Sequence, residues 1–459
     1  EDVAACGDVQ RLQSVAPLPS DPAAAARAAE LKRHLAEADA RRIAGKLAEA
    51  AELAAASVAE ARQVGHPGLL AEALFLQGRT EEDRGQAKAA EEALLEAARA
   101  AIAARDDVRL VGSWSLLAAV VGFREARPAE GRRWNEYAQA VLARLSSPAL
   151  PQADVERATA MISYSEGKYG DSLAAYQRAL ALKRGALGPD ALEVAQMENN
   201  VAVLLGQLDR NAEAREHHQH ALAAFRRALG PDHPVVASSL DNLGIVLTNL
   251  GDLQEAEKVQ REALAIRERV YSAMSPDVAK SLNNLGRLLD FRGRYAEARG
   301  VLERALKVTQ ATEGPNHPMS AWVLNNLGTA SLGQHEPKRA LEEYTRGYEV
   351  LTHRPDPHPD AASLMIGMAA AQLALQRPGD VLATLDRAEQ ARPAENAPTE
   401  DLAQAKFLRA RALRALHRDP ARQQALAEEA GTLYQKAGAT YREQQAEVRA
   451  FLDSGRARP

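Results

Sequence analysis

The sequence predicts an all-α solenoid of about ten antiparallel helix pairs, and three observations carry that prediction. Asn200, Asn242, Asn284 and Asn326 stand 42 residues apart, the last three inside Asp-Asn-Leu-Gly or Asn-Asn-Leu-Gly. Gly167, Gly251 and Gly293 keep the same register, with Asp209 in the slot between the first two. A third set marks seams: Gly188-Pro-Asp190, Gly230-Pro-Asp-His-Pro234 and Gly314-Pro-Asn-His-Pro318. In a repeat of this length each unit buries its apolar face only against its neighbours, so function is to be sought on a long surface.

Within one unit the apolar spacing reads as two helices. Val278, Leu282, Leu285, Gly286 and Leu289 recur at helical intervals, and Ala298, Leu302, Ala305, Leu306 and Val308 form the facing stripe. Gly286 and Ala298 are small where the pair must approach, and Gly293 fits the left-handed turn between the helices. At the seams Gly230 and Gly314 end a second helix. Pro234, Pro276 and Pro318 fit the first turn of the next, and Ser275 is placed as an N-cap.

Along the chain, residues 1–26, with Pro17, Pro19 and Pro22, read as a linker or N-terminal cap. Over 27–145 the repeats diverge, with turns at Gly45, Gly85 and Ala126, and 146–355 is the regular array. Downstream, Glu336-Pro-Lys-Arg-Ala340 and Pro378-Gly-Asp-Val-Leu382 extend the pattern, and the repeats diverge again over 356–440. The stretch 391–398 is the best internal break, and 441–459 is a terminal helix and tail.

Composition agrees. Of 459 residues 46% are apolar but only 4% aromatic, a mix suited to closely packed helices. The formal net charge of −5 gives no footprint for nucleic acid or an anionic membrane. No apolar run reaches the roughly 18 residues of a membrane span. The chain opens at Glu1 without Met or a signal-like segment, which suggests a region of something longer. Its single cysteine, Cys6, permits no internal disulfide and no cysteine-based zinc site.

The Asn-Asn-Leu-Gly stretches, the Gly-x-Tyr/Leu-x-Glu-Ala turns and the Gly-Pro-Asp-His-Pro seams resemble tetratricopeptide repeats of the 42-residue kinesin-light-chain kind. The Ala-Leu pairs (Ala179-Leu180, Ala221-Leu222, Ala263-Leu264, Ala305-Leu306) add to the likeness. It is strongest from 150 to 355 and weaker over 27–145 and 356–440. The resemblance implies a right-handed superhelix whose first helices line a concave groove, and a protein or peptide segment as partner. The opening Ala5-Cys6-Gly-Asp-Val-Gln-Arg-Leu12 resembles the region C-terminal to the catalytic domain of large myxobacterial-type serine/threonine kinases. That likeness implies a sensor or substrate-recruiting role in a larger signalling protein. It places the region in the periplasm if a membrane helix precedes it, otherwise in the cytoplasm.

If Leu282, Leu285 and Leu289 face inward, then Lys280, Asn283, Arg287 and Asp290 share another face. The 42-residue register extends that stripe to Gln196, Asn199 and Val203, and to Ser238, Asp241, Ile245 and Thr248. One repeat onward it reaches Trp322, Asn325 and Thr329. These residues are the expected peptide-binding ladder, with amides for an extended backbone and Trp322 as an aromatic anchor. The second Asn of each pair (Asn200, Asn242, Asn284, Asn326) is expected to bond a neighbouring helix. Lys280 and Arg287 are opposed by Asp241 and Asp290, which disfavours a strongly acidic ligand.

No catalytic residue, metal site or cofactor is expected. His217 and His220 share a helix face with Glu213 and Glu216 but lack a third fixed ligand. His233 and His317 read as turn residues, and Ser165 with Lys168 straddles an inter-helix turn. Arg411, Arg414 and Arg418 read as a solvated stripe. The function expected is a non-enzymatic interaction scaffold. A self-associating structural module and a small-ligand sensor are the alternatives.

Overall fold

The computed structural model describes residues 21–146, 149–353, 358, 360–392 and 397–456. The chain divides into two compact units, Glu1–His233 and Pro234–Pro459. Ten helix pairs are described, five in each unit, and no strand occurs among the described residues. In the first unit the pairs are α1 (Pro22–Ile43) with α2 (Leu47–Val64), α3 (Pro67–Asp83) with α4 (Ala87–Ala104), and α5 (Asp107–Ala119) with α6 (Pro128–Leu142). They continue as α7 (Ala149–Ser165) with α8 (Tyr169–Leu187) and α9 (Leu192–Gln207) with α10 (Asn211–Leu229).

The second unit pairs α11 (Pro234–Leu250) with α12 (Leu253–Val270), α13 (Pro276–Phe291) with α14 (Tyr295–Thr312), and α15 (Pro318–Gly333) with α16 (Pro337–Thr352). Then come α17 (Ala361–Ala374) with α18 (Pro378–Ala391) and α19 (Thr399–Ala415) with α20 (Pro420–Ala437). A 3₁₀ turn, Ala439–Tyr441, leads into a last helix, α21 (Arg442–Arg456). The first helix thus begins at Pro22. The opening Ala5–Leu12 motif, Pro17 and Pro19 lie outside the described residues, as does 393–396 within the expected break.

The punctuation read from sequence is what shapes the pairs. Pro234, Pro276 and Pro318 are each the first residue of their helix, where a missing N–H costs no bond. Ser275 caps α13 by accepting from the Asp277 N–H at 3.3 Å. His317, expected as a turn residue, is also a cap: its Nδ1 accepts from the Met319 N–H at 3.3 Å. The turns within the α11–α12 and α13–α14 pairs need a left-handed residue, supplied by Gly251 and Gly293 at φ 82° and 69°. Asp209 occupies the same conformation at φ 59°.

The core is built pair on pair. Leu282, Leu285 and Leu289 of α13 bury against Leu302 and Ala305 of α14 and against Leu324 and Leu327 of α15. The closest approach within a pair joins a glycine of the first helix to the residue 16 positions on. A Cβ on Gly244, Gly286 or Gly328 would lie 2.6, 2.4 and 2.6 Å from Gln260, Leu302 and Tyr344. Leu302, not Ala298, is therefore the residue that Gly286 makes room for.

Candidate functional site

The predicted stripe is present in the second unit, but it is not one uniform ladder. Its seam-side end is a depression of about 440 Å3 lined by Lys280, Asn283, Asn284, His317 and Trp322, and also by Thr309 and Glu313. α13 supplies the first three and α15 supplies Trp322, so the helix register brings them together across a repeat boundary. Trp322 is 42% exposed, unusual for so large an apolar side chain. Its indole N–H donates to Asp360 at 2.9 Å, its edge meets His358, and Asp360 is itself gripped by Arg392 at 3.2 Å. The ring is thus fixed by its N–H while part of its apolar surface stays in solvent.

At Asn283 and Asn284 the two asparagines of a pair divide their roles differently from expectation. Asn326 donates to Asn283 Oδ1 at 2.9 Å, so it does bond the neighbouring first helix, and its partner is the predicted groove residue one repeat back. That bond uses the acceptor of Asn283 and leaves its N–H2 group without a partner among the described residues. Asn284 was expected to bond within the fold. Its side chain has no hydrogen bond among the described residues and lines the depression instead. Lys280 is exposed, with Asp277 at 3.2 Å as its ion-pair partner.

Other predicted members stand elsewhere. Asp241 is buried, 5% exposed, and is not a groove residue. It pairs with Arg267 and accepts from Ser281 at 3.0 Å, a bridge between consecutive pairs. Arg267 also holds Ser238 at 3.1 Å, which removes that hydroxyl from the stripe. Burial raises the Asp241 carboxyl and Arg267 opposes the rise. Ile245 and Asn325 are half-buried, while Thr329 is exposed and hydrogen-bonds the Asn325 carbonyl at 3.2 Å and Tyr344 OH at 3.1 Å. Gln196 is exposed and Asn199 half-buried on α9, in the first unit.

At the turn-side end of α13, Arg287 is half-buried and has no carboxylate within salt-bridge distance among the described residues. Asp290 is buried with neither carboxylate oxygen hydrogen-bonded. Burial pushes its pKa up to about 8 against the pull of Arg299, so it is largely uncharged at neutral pH. The cation–anion balance read from sequence therefore shifts: Asp241 is paired with Arg267, and burial favours the neutral form of Asp290.

The other sequence candidates resolve into structure. His217 contacts Glu198, whose carboxyl is raised by burial but brought below its usual range by His217 and Arg184. No group of three potential metal ligands occurs among the described residues. Ser165 donates to the Ile162 and Gly122 carbonyls at 2.8 and 3.1 Å, and Lys168 pairs with Glu166. Arg414 is half-buried: its guanidinium lies over the Phe451 ring and donates to Ser454 Oγ at 2.9 Å. No described helix is long and apolar enough to cross a membrane.

Comparison with known proteins bears on the repeats and the fold. The tetratricopeptide repeat model matches residues 193–269, 237–311 and 277–353. No curated protein matches the chain. Among solved structures, a Rap protein complexed with competence and sporulation factor is similar at 14% identity and TM-score 0.54, over 84% of this chain and 99% of that one. The apo quorum sensor NprR from B. thuringiensis is similar at 14% identity and TM-score 0.54, over 78% and 98%. A putative kinesin light chain from Podosopora anserina with nearly identical TPR-like repeats has 18% identity and TM-score 0.39, over 45% and 97%. Residues 193–353 match the tetratricopeptide repeat model, and the described residues form an all-α array of helix pairs similar in fold to those solved structures.

Proposed function

We propose that this chain is a non-catalytic scaffold whose second unit binds a protein or peptide segment at the α13–α15 depression. One observation carries the reading. A partly exposed, N–H-anchored Trp322 shares a depression with an unsatisfied Asn283 amide, Asn284 and Lys280. Trp322 offers an apolar face for one side chain, and the amides offer donors and acceptors to an extended backbone. Because helices hold all of these groups, little entropy is lost on the protein side when a segment docks. The fold likeness to a Rap protein complexed with competence and sporulation factor supports a binding role without identifying a ligand here. A recruiting or sensing role beside a serine/threonine kinase is the finer form of this proposal, supported by the resemblance of the Ala5–Leu12 motif.

The test is retention of partners from the source lysate by the native chain and by W322A/N283A, with the helical circular dichroism of both recorded. A partner retained by the first and lost by the second, at unchanged helicity, is the expected result. Removing a well-packed aromatic anchor costs about 2 kcal/mol or more, at least a tenfold loss. Equal retention would move the site off this face.

A further inference from the structure

The second unit holds another cavity, of about 180 Å3, between α17, α18, α19 and α20. Its apolar wall is Ile366 of α17, Leu385 and Ala388 of α18, Leu402 and Ala405 of α19, and Leu426 of α20. Protein interiors close-pack and leave few voids larger than a water molecule, so a space of this size in a helix seam is a shaped feature. An apolar cavity of about 150 Å3 takes up benzene, which sets the scale here at one ring or a short branched chain. The charged residues of the lining are mostly committed already. Arg392, 8% exposed, is held by Asp401 at 3.3 Å and by Asp360 at 3.2 Å, and Asp401 also accepts from Ser363 at 2.5 Å. Arg409 pairs with Asp386 at 2.6 Å and Glu389 at 3.4 Å, and Lys406 with Glu429 at 2.5 Å. Both carboxylates of the lining, Glu389 and Asp401, are thus paired within the fold. Arg422 is the exception. It is exposed, so it lies where the cavity opens. Its main-chain N–H is taken by the Asp419 cap at 2.9 Å, but its guanidinium has no carboxylate within salt-bridge distance among the described residues.

We propose that this cavity binds a small organic acid, with a ring or short branched chain against the Ile366–Leu385–Leu402–Leu426 wall and its carboxylate on Arg422. Charge complementarity decides the class. A cationic ligand would meet Arg422 with no uncommitted carboxylate to receive it, and a neutral one would leave that guanidinium unused. A carboxylate accepts two parallel N–H bonds from a guanidinium, so one arginine suffices to hold and orient it. With a single uncommitted cation in the lining, a monoanion fits better than a dianion. Volume bounds the size to a carboxylate on a body of about six to eight carbons. The wall is preformed, because Ile366, Leu385 and Ala388 share one core with Leu408 and Ala412 of α19. Arg392 is not the ligand's cation, since its partner Asp360 is also the residue that fixes the Trp322 ring. The site does not rest on the proposed partner-binding role.

The experiment titrates the full chain with 3-phenylpropanoate, its neutral amide and 3-phenylpropylammonium, read by saturation-transfer NMR of the ligand. The acid is expected to bind with a Kd on the order of 0.1–1 mM. The amide is expected to bind about fivefold more weakly, the scale of one partly exposed charge contact, and the ammonium more weakly still. Arg422 is exposed, so R422Q keeps the fold; it is expected to bring the acid to the affinity of the amide and to leave the amide unchanged. Ala405 is half-buried in the lining, and A405L is expected to abolish binding of both by filling the space. Absence of acid binding by the native chain, equal affinity for acid and amide, or acid binding unaltered by R422Q overturns the proposal. If A405L loses helicity, the acid-to-amide ratio of the R422Q chain decides alone. A peptide ending in a free Phe carboxylate that binds more tightly than 3-phenylpropanoate would overturn the small-molecule form in favour of a chain end. None of these readouts involves a protein partner, so failure of the partner reading leaves them unchanged.

Discussion

Gly286 and Leu302 are as close as two side-chain positions in a helix pair can be: a Cβ on the glycine would stand 2.4 Å from Leu302 Cγ. Gly286→Ala gains about 1 kcal/mol of helix propensity but forces Leu302 off its rotamer, and overpacking of this kind costs about 1–3 kcal/mol. A lower melting temperature is expected. Gly300, in the next helix, has nothing within 4 Å of its Cβ direction, and Gly300→Ala is expected to stabilise by about 0.5–1 kcal/mol. Thermal melts of the two variants with opposite signs are the check.

Asp241 and Arg267 test the seam. Arg267 is 5% exposed, so Asp241→Ala strands a buried guanidinium, at a cost of about 3–5 kcal/mol. The double variant D241A/R267M removes the stranded charge and is expected to recover most of the loss. Urea midpoints of the three chains decide; a double variant no better than D241A would show that packing, not charge, dominates.

Asp290 should make the second unit lose stability as pH rises from the acid range to about 8. Its folded pKa of about 8 lies above the roughly 3.9 of an unfolded Asp, so the folded state holds the extra proton between those values. Stability is therefore lost as pH rises from about 4 toward 8, at up to about 1.4 kcal/mol per unit. Asp290→Asn keeps the shape and removes the proton. Its melting temperature is expected to change less than that of the native chain between pH 5 and pH 8.

His218 gives the opposite dependence in the first unit. It is 1% exposed, and burial, with the nearby His217, lowers its pKa to about 4. The unfolded imidazole takes up a proton near pH 6.5, so stability is lost as pH falls from there toward 4. His218→Gln introduces the residue found at the equivalent Gln260. Hydrogen exchange of α9 and α10 is expected to lose its acid sensitivity in that variant, and an unchanged profile would assign the effect to another group.

Much of this was legible in the sequence. The 42-residue register gave the pairs, the left-handed turns, the proline starts and the seam-side stripe through Lys280, Asn283 and Trp322. What a single stripe could not tell was which polar residues the fold itself uses. Asp241 lies on the same face as Asn283, but it meets Arg267 from its own second helix and Ser281 from the next repeat. His218 went unnoticed beside His217 and His220. The signal was there, since 218, 260, 302 and 344 share one register position, the knob opposite the small residue of the first helix. The contact of Thr440 with α11 was not legible, because no periodic pattern reports a contact between residues 192 apart.

That contact also bears on the order in which the molecule is made. Thr440 and Thr248 are 192 residues apart, whereas the contacts of a solenoid are otherwise between neighbours in sequence. On a growing chain, pairs α11 to α18 can stack as each emerges, whereas the Thr440 contact to α11 forms only once residue 440 has been made. A chain cut short before that residue would carry these helix pairs without their longest-range contact.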